Sequence, residues 1–294
     1  MMYKDKLIDK VFNVINISIM LLVIVVTLYP VIYLISKSLS SVEYVKAGMV
    51  YLWPRGFSLS AYEEVFSNEL FLTSYRNTIV YTVLGTTINL VMTTSMAYCL
   101  SRRNLVFRKS ITLLVVFTMF FGGGMIPNFL LIKWLKMYDT IWALVIPGAI
   151  STYNMIIVRT YMQGIPEEIV ESVRIDGAND IQIFIKMILP LSIPVIATIG
   201  LFYAVGHWNS YFNAMLYLDE KKTYPLQLIL KEMIVEQDMQ GMSSNAFDVV
   251  NEQPPSSEML VSASIVMSLI PVLIAYPFVQ RFFIKGVMIG SVKG

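Results

Sequence analysis

Long uncharged stretches alternate with charged segments along this chain. Six stretches contain no Asp, Glu, Lys or Arg, and each approaches or exceeds the roughly 20 residues that a helix needs to cross the hydrocarbon core of a bilayer. They are residues 11–36, 77–101, 110–132, 140–158, 187–218 and 259–280. This pattern predicts an all-α fold, a polytopic membrane helical bundle with six transmembrane helices.

Composition agrees with a membrane protein, and the basic residues predict its orientation. The chain is 56% hydrophobic and 14% charged, with a mean hydropathy of +0.65, which is too apolar for a soluble domain of 294 residues. If the N-terminus is cytoplasmic, the inner segments hold 13 of the 22 bases and 7 of the 20 acids, a net charge of +6. The outer segments then carry a net charge of −4. Because Lys and Arg favour the cytoplasmic side, we expect both termini to be cytoplasmic.

A charged segment, residues 164–190, separates the fourth apolar stretch from the fifth and predicts two short amphipathic helices. Pro166 suits the first helical position, and Gly177 suits the left-handed residue that ends a helix. Asn179 or Asp180 can cap the second helix. The apolar residues at helical spacing are Ile169, Val170 and Val173 in the first helix, and Ile181, Phe184, Ile185 and Ile188 in the second. A simple turn needs only a few residues, so the extra helices indicate a docking surface.

The residues Glu171-Ser-Val, Gly177 and Met187-Ile-Leu-Pro190 stand at a spacing that resembles the Glu-Ala-Ala loop of binding-protein-dependent ABC importer permeases. The family pattern is Glu-Ala-Ala, three residues, Gly, nine residues, Ile-x-Leu-Pro. Ser172, Val173 and Met187 depart from it conservatively. Two C-terminal segments, Phe283-Ile-Lys-Gly286 and Ser291-Val-Lys-Gly294, resemble the tail of the maltose-type permease partner, and the run from Phe120 to Pro127 resembles a subgroup associated with complex oligosaccharides.

This resemblance implies the transmembrane domain of a type I ABC importer in the bacterial cytoplasmic membrane, with no catalytic residue, cofactor or metal of its own. Its substrate would be a carbohydrate, and by the subgroup an oligosaccharide. The implied partners are a second homologous permease subunit, two ABC ATPase subunits, an extracellular solute-binding protein and membrane lipid, with no nucleic acid. The residues expected to couple the chain to the ATPase are Ile169, Glu171, Val173, Asp176, Gly177, Leu189 and Pro190.

The expected organisation combines the apolar pattern with that resemblance. It comprises an N-terminal stub and first transmembrane helix (1–36), an extracellular loop (37–76), a permease core with five transmembrane helices (77–285) and a cytoplasmic tail (286–294). The core contains the cytoplasmic coupling loop at about 160–190 and an extracellular loop at about 219–258.

The loops and one glycine run leave alternatives open. Residues 37–76 are expected to form short helices on the outer surface. Residues 219–258, rich in Pro and acids, form either a docking platform for the solute-binding protein or a solvated linker. Inside the third apolar stretch, Gly122-Gly123-Gly124 either loosens the helix or allows close helix approach.

Carrying a sugar through apolar spans requires a polar path, because moving one unpaired hydroxyl into hydrocarbon costs roughly 4–8 kcal/mol. Asn and Tyr offer hydrogen bonds, and aromatic rings can cover the apolar faces of sugars. The candidate lining residues are Asn128, Tyr153, Asn154, Trp208, Asn209, Tyr211 and Asn213. The alternative role for each is hydrogen bonding between helices of the bundle.

The source of energy is predicted to lie outside the spans. No apolar stretch contains the carboxylate or basic group that ion-coupled carriers place near the bilayer midplane, and the chain has no Gly-x4-Gly-Lys-Ser/Thr phosphate loop to hold ATP. We therefore expect residues 164–190 to receive work from a separate ATPase. The face around Ile169 and Val173 would enter a groove, with Glu171 and Asp176 making charged or helix-fixing contacts.

The single cysteine and the single histidine carry little chemistry. One cysteine, Cys99, excludes an internal disulfide, and we expect it to pack in the bundle. His207 is either a polar cavity contact or a histidine hydrogen-bonded within the bundle, and the lack of a nearby carboxylate favours the second role. The His-Glu-x-x-His and Gly-x-Ser-x-Gly motifs of enzymes are absent. Two other functions remain, an ABC permease for a non-sugar solute and a stand-alone secondary carrier.

Overall fold

Every regular element in the described part of the chain is a helix. A computed structural model describes residues 7–243 and 255–291, so the sequence predictions on residues 1–6, 244–254 and 292–294 lie outside the described residues. The helices are α1 (Leu7–Ser38), α2 (Val42–Lys46), α3 (Ser60–Ser67), α4 (Glu69–Ser101), α5 (Arg108–Phe120), α6 (Met125–Trp134), α7 (Trp142–Val145), α8 (Thr152–Gln163), α9 (Glu167–Ile175), α10 (Asp180–Ile183), α11 (Leu189–Leu191), α12 (Ile193–Trp208), α13 (Phe212–Tyr217), α14 (Leu226–Ser243) and α15 (Ser257–Ser291), with a π turn at Phe184–Ile188 and a 3-10 turn at Lys221–Thr223.

Three helices in the described residues are long and apolar enough to cross a membrane. These spans are Asp9–Ser38, Glu69–Ser101 and Ser257–Pro277. Two bent pairs raise the number to five if each pair is one span: α5 with α6, bent by 114°, and Asp180–Leu191 with α12, bent by 80°. The predicted span 140–158 forms no single long helix, because Pro147-Gly148 separates α7 from α8.

The glycine run in the third apolar stretch breaks the helix. Helix α5 ends at Phe120 and α6 begins at Met125, and Gly124 adopts a left-handed φ of +83°. A Cβ built on Gly122 would meet no atom within 4 Å, so this glycine is not placed there by close helix approach. The first of the two predicted roles, loosening of the helix, is confirmed.

The chain divides into two compact units, each described by itself. The first unit comprises Met1–Glu69 and Leu230–Ile270. In it, the short helices predicted for residues 37–76 are found as α2 and α3. Serines at the end of α1 hold this segment: Ser36 Oγ donates to Leu52 O at 2.7 Å, and Ser38 Oγ lies 2.8 Å from the Tyr62 hydroxyl.

The second unit comprises Leu70–Ile229 and Pro271–Gly294. Its main core cluster joins residues of α4, α5, α8, α9, α10 and α12. The buried members are Ala97, Tyr98, Leu100, Val115, Met155, Val158, Met162, Val170, Ile183, Ile188, Val195, Ile199 and Tyr203. We call this set the inner core. The inner core draws residues from the long helices α4 and α12, from α5 and α8, and from the short helices of segment 164–190.

The beginning of segment 219–258 is packed against α4. Asn77 Nδ2 donates to Lys222 O at 2.7 Å, the Tyr81 hydroxyl donates to Thr223 O at 2.8 Å, and Leu226 N donates to Thr78 Oγ1 at 2.7 Å. Helix α14 then begins with buried leucines at 226, 228 and 230. Residues 219–222 are exposed, whereas residues 225, 226 and 228–230 are buried, so a solvated linker does not describe this later part of the segment.

Candidate functional site

Residues 164–190, which we call the elbow, fold as two helices around a glycine corner. Helix α9 begins at Glu167, one residue later than predicted, so Pro166 flanks it. After α9, the Gly177 amide donates to Arg174 O at 3.0 Å and the Ala178 amide donates to Val173 O at 3.3 Å. With the left-handed φ of +88° at Gly177, these bonds form a Schellman motif. The prediction that Gly177 is the left-handed residue that ends this helix is confirmed.

The second elbow helix is capped by Asn179, one of the two predicted residues. Asn179 Oδ1 accepts from Gln182 N at 2.8 Å, and Gln182 Oε1 accepts from Asn179 N at 3.0 Å, which is a reciprocal capping box. Across the corner, Arg174 Nη2 donates to Asp180 Oδ1 at 2.7 Å. Groups of the elbow itself therefore form the hydrogen bonds that cap the two helix ends at the corner.

The inner face of the elbow is fastened to the spans. Val170, Ile183 and Ile188 are buried in the inner core. The Phe184 ring stacks on Tyr98 of α4 with a centroid separation of 4.7 Å, and the Tyr98 hydroxyl donates to Asp180 O at 3.2 Å. The elbow therefore shares buried side chains with α4, α8 and α12 and packs with those helices in one core.

Four isoleucines are exposed on the outer face of the elbow, and the sequence analysis assigned only one of them, Ile169, to coupling. The exposed fraction is 44% for Ile169, 86% for Ile175, 69% for Ile181 and 55% for Ile185. The sequence had grouped Ile181 and Ile185 with the buried Ile188. That grouping is wrong because the π turn at Phe184–Ile188 shifts the helical phase, so that Ile183 takes the buried place.

The predicted coupling residues occupy both faces of the elbow. Ile169, Glu171, Asp176, Gly177 and Pro190 are exposed. Val173 and Leu189 are half-buried, and Val173 packs against the inner core. The exposed isoleucines at 175, 181 and 185 are the residues that sequence reasoning missed, and the four-residue spacing of the last two was the available signal.

A buried polar network links α4 to α12 and to the break after α7. Asn89 Nδ2 donates to Gly148 O at 2.6 Å, which turns its amide oxygen to His207 Nε2, also at 2.6 Å. The expectation that His207 is hydrogen-bonded within the bundle is confirmed. A Cβ on Gly85 would overlap the His207 ring, so glycine is required at that crossing. The Thr93 and Tyr203 hydroxyls, 2.7 Å apart, form a second link.

The candidate path residues are divided between surface and interior. Asn128, Tyr153, Asn209, Tyr211 and Asn213 are exposed, and Asn154 and Trp208 are buried. Trp208 meets Tyr75 edge-on with centroids 6.0 Å apart, and it lines an apolar groove of about 410 Å³ with Ile79 and Val83. Trp208 is thus buried against Tyr75 at this groove, whereas Asn209, Tyr211 and Asn213 expose polar side chains at the end of α12.

Acidic residues at 139 and 219 join the segment that precedes α7 to the segment that follows α13. The Tyr138 hydroxyl donates to Asp219 Oδ1 at 2.8 Å, and Asp219 N donates to Asp139 Oδ1 at 2.9 Å. The hydrogen bond to Asp219 raises the pKa of the Tyr138 phenol. Among residues 7–243 and 255–291, no three His, Cys, Asp or Glu side chains form a group that could hold a metal ion.

Comparison with known proteins identifies the family. Residues 2–289 match the model of the binding-protein-dependent transport system inner membrane component. The chain belongs to this family. The permease is 41% identical over 286 residues to the polygalacturonan/rhamnogalacturonan transport system permease protein YtcP of Bacillus subtilis (strain 168), covering 97% of this chain and 99% of that one. It is also 41% identical over 285 residues to protein LplC of the same organism, covering 97% and 96%.

A solved structure agrees with this assignment. The permease superimposes on a chain of a bacterial ABC transporter involved in the import of the acidic polysaccharide alginate, with a TM-score of 0.87 and 38% identity. The alignment covers 96% of the permease and 100% of that chain. The all-helical fold and the predicted family are therefore both confirmed, and the family is one of membrane transport components and not of enzymes.

Proposed function

We propose that this permease forms part of the transmembrane pore of an ABC importer and carries an oligosaccharide into the cell. The observation that carries the proposal is full-length similarity to YtcP, whose name assigns it to polygalacturonan and rhamnogalacturonan transport. The alginate importer structure adds a second acidic polysaccharide. The substrate class we favour is an oligosaccharide of the kind released from such polymers.

The elbow is the proposed port for energy. Its outer face carries Ile169, Ile175 and Ile181 for insertion into a groove of an ATPase, with Glu171 and Asp176 exposed beside them. Its inner face shares the inner core with α4, α8 and α12. A displacement of the elbow by closure of the ATPase would therefore be transmitted to those helices as a rigid-body tilt.

The proposed topology has six spans with both termini in the cytoplasm. The long helices α1, α4 and α15 supply three, and the two bent pairs supply two more. The sixth is the broken stretch 140–158. The proposed boundaries are 1–36, 37–76, 77–285 and 286–294, and the proposed partners are a second permease subunit, two ATPase subunits and an external solute-binding protein.

The proposed solute contacts are the exposed polar groups at the helix ends. Asn209, Tyr211 and Asn213 lie together in sequence where α12 gives way to α13, and Asn128 lies in α6 beyond the glycine break. Amide and phenol groups can exchange hydrogen bonds with sugar hydroxyls without a full charge. Asn154 and Trp208 are buried, and we assign them to holding the helices that present the others.

Co-purification tests this function. An affinity tag on this chain should recover two different permease subunits, an ATPase and a solute-binding protein, and mass spectrometry should find an oligosaccharide on that binding protein. Recovery of the chain without an ATPase, or ATP-independent uptake by vesicles that contain this chain alone, would contradict the proposal.

A further inference from the structure

A basic groove opens between α5 and α8. Its volume is about 270 Å³, and Arg108, Lys109, Thr112 and Arg159 line its polar end. Leu113 and Val116 line the other end. The groove thus joins three positive side chains to an apolar wall within a single opening.

In the part of the chain that the structure describes, no ion pair joins a base of this groove to a carboxylate, although Arg108 also lines a neighbouring pocket with Glu167 and Glu168. Arg159 Nε donates to Leu100 O at 3.0 Å, and Arg108 Nη1 lies 3.5 Å from Arg102 O, so both contacts use backbone carbonyls. Among the described residues, the ion pairs found are Lys37–Glu258, Arg103–Glu167 and Arg174–Asp180, none of which involves the groove. Three positive side chains that line one groove, none of them in an ion pair with a carboxylate, favour an anionic ligand.

The position of the groove along the apolar stretches selects the kind of anion. Arg108 and Lys109 immediately precede the stretch 110–132, and Arg159 immediately follows the stretch 140–158. In the proposed six-span topology, on which this inference rests, the charges therefore lie at headgroup depth in a bilayer. Below them, α5 turns apolar side chains outward, with Leu113 71% and Leu114 65% exposed. An acyl chain fits against that surface, whereas a soluble phosphate would leave it bare.

We propose that this groove binds an anionic phospholipid, with its phosphodiester between Arg108, Lys109 and Arg159 and its acyl chains along Leu113 and Val116. The N-terminus of the 13-residue helix α5 adds favourable dipole charge for the phosphate. The Thr112 hydroxyl donates to Arg108 O at 2.7 Å, which holds the first turn in place and leaves its oxygen free to accept. The lipid would fasten α5 to α8 where these helices already touch.

Native mass spectrometry of the purified full chain, with the subunits that accompany it, tests the proposal. Phosphatidylglycerol should remain bound where phosphatidylcholine does not. The pair Arg108→Gln with Arg159→Gln should bind phosphatidylglycerol roughly thirtyfold more weakly, because each interfacial base contributes about fivefold. Lys10→Gln, which removes an exposed base of α1 outside the groove, should leave this binding unchanged.

Further arms distinguish the lipid from other anions and from misfolding. Lys109→Gln changes an exposed side chain and should lower binding about fivefold without affecting folding. The pair Arg108→Lys with Arg159→Lys should keep most of the binding. Equal retention of both lipids, undiminished binding in the Gln variants, or displacement of the lipid by free glycerol phosphate would overturn the proposal.

Discussion

At the scale of single residues, Gly177 decides the shape of the elbow. A Cβ there would meet no atom within 4 Å, so its requirement comes from the backbone, with φ at +88°. A residue with a Cβ pays roughly 1–2 kcal/mol in this left-handed region. Proline cannot adopt it, and proline also removes the amide that donates to Arg174 O.

We predict that Gly177→Pro abolishes the stimulation of ATP hydrolysis by loaded solute-binding protein in the assembled importer, while the subunits still insert. The corner would open, and the elbow would lose its fixed orientation. Gly206→Ala is the matched control, because Gly206 lies in a helix with open space around its Cβ position. Stimulated hydrolysis at the wild-type rate in the proline variant would refute this role.

Gly85 offers a second prediction at this scale. Gly85→Ala should destabilise the permease by roughly 1–3 kcal/mol, because its new methyl group overlaps the His207 ring. The measurement is the thermal unfolding temperature of the purified protein. Adding His207→Ala should restore part of the loss by removing the overlap. An unchanged unfolding temperature in the single variant would show that α4 and α12 do not cross so closely.

At the scale of elements, the π turn at Phe184–Ile188 divides the elbow's isoleucines into two sets. Ile183 and Ile188, five residues apart, are buried, and Ile181 and Ile185, four apart, are exposed. A regular α-helix would not place residues five apart on one face. The turn thus keeps the inner face in the inner core while it turns a second apolar row outward.

The pair Ile175→Ser with Ile181→Ser should weaken recovery of the ATPase at least roughly tenfold, because burying one aliphatic side chain contributes about 1.5–3 kcal/mol. Recovery is measured by pull-down through a tag on this chain, alongside the unfolding temperature, which should not change. Val106→Ser is the control, since Val106 is 70% exposed but lies outside the elbow. Equal recovery from the double variant and the control would exclude Ile175 and Ile181 from docking of the ATPase.

At the scale of the whole molecule, orientation in the membrane can be tested with thiol labelling. Cys99 is the only cysteine, so Cys99→Ser provides a clean background. In this background, Glu64→Cys on α3 should react with a membrane-impermeant reagent in intact cells, whereas Glu171→Cys on α9 should react only after permeabilisation. Both positions are exposed. Labelling of Glu171→Cys in intact cells would place the elbow outside and reverse the topology.

Local signals predicted much of this molecule, and long-range contacts account for the remainder. The corner at Gly177 depends on nearby residues, so the sequence predicted it. For the same reason the sequence narrowed the cap to Asn179 or Asp180 and the run Gly122-Gly123-Gly124 to two roles, and the structure chose between them. The hydrogen bond between Asn89 and His207 joins residues 118 apart, and no local pattern indicates it. Pro147-Gly148, which separates α7 from α8, is visible in the sequence. The prediction of one continuous span over 140–158 relied instead on the absence of charged residues there.

The shared burial of elbow and spans has a consequence for exchange between related transporters. Val170, Ile183 and Ile188 are in one cluster with Val158 and Met162, residues of the preceding helix. A chimaera in which only the elbow is replaced by that of a distant homologue would place side chains of different shape against Val158 and Met162. Swaps should therefore succeed when the last turns of α8 are exchanged together with the elbow, so the natural unit of recombination is larger than the elbow itself.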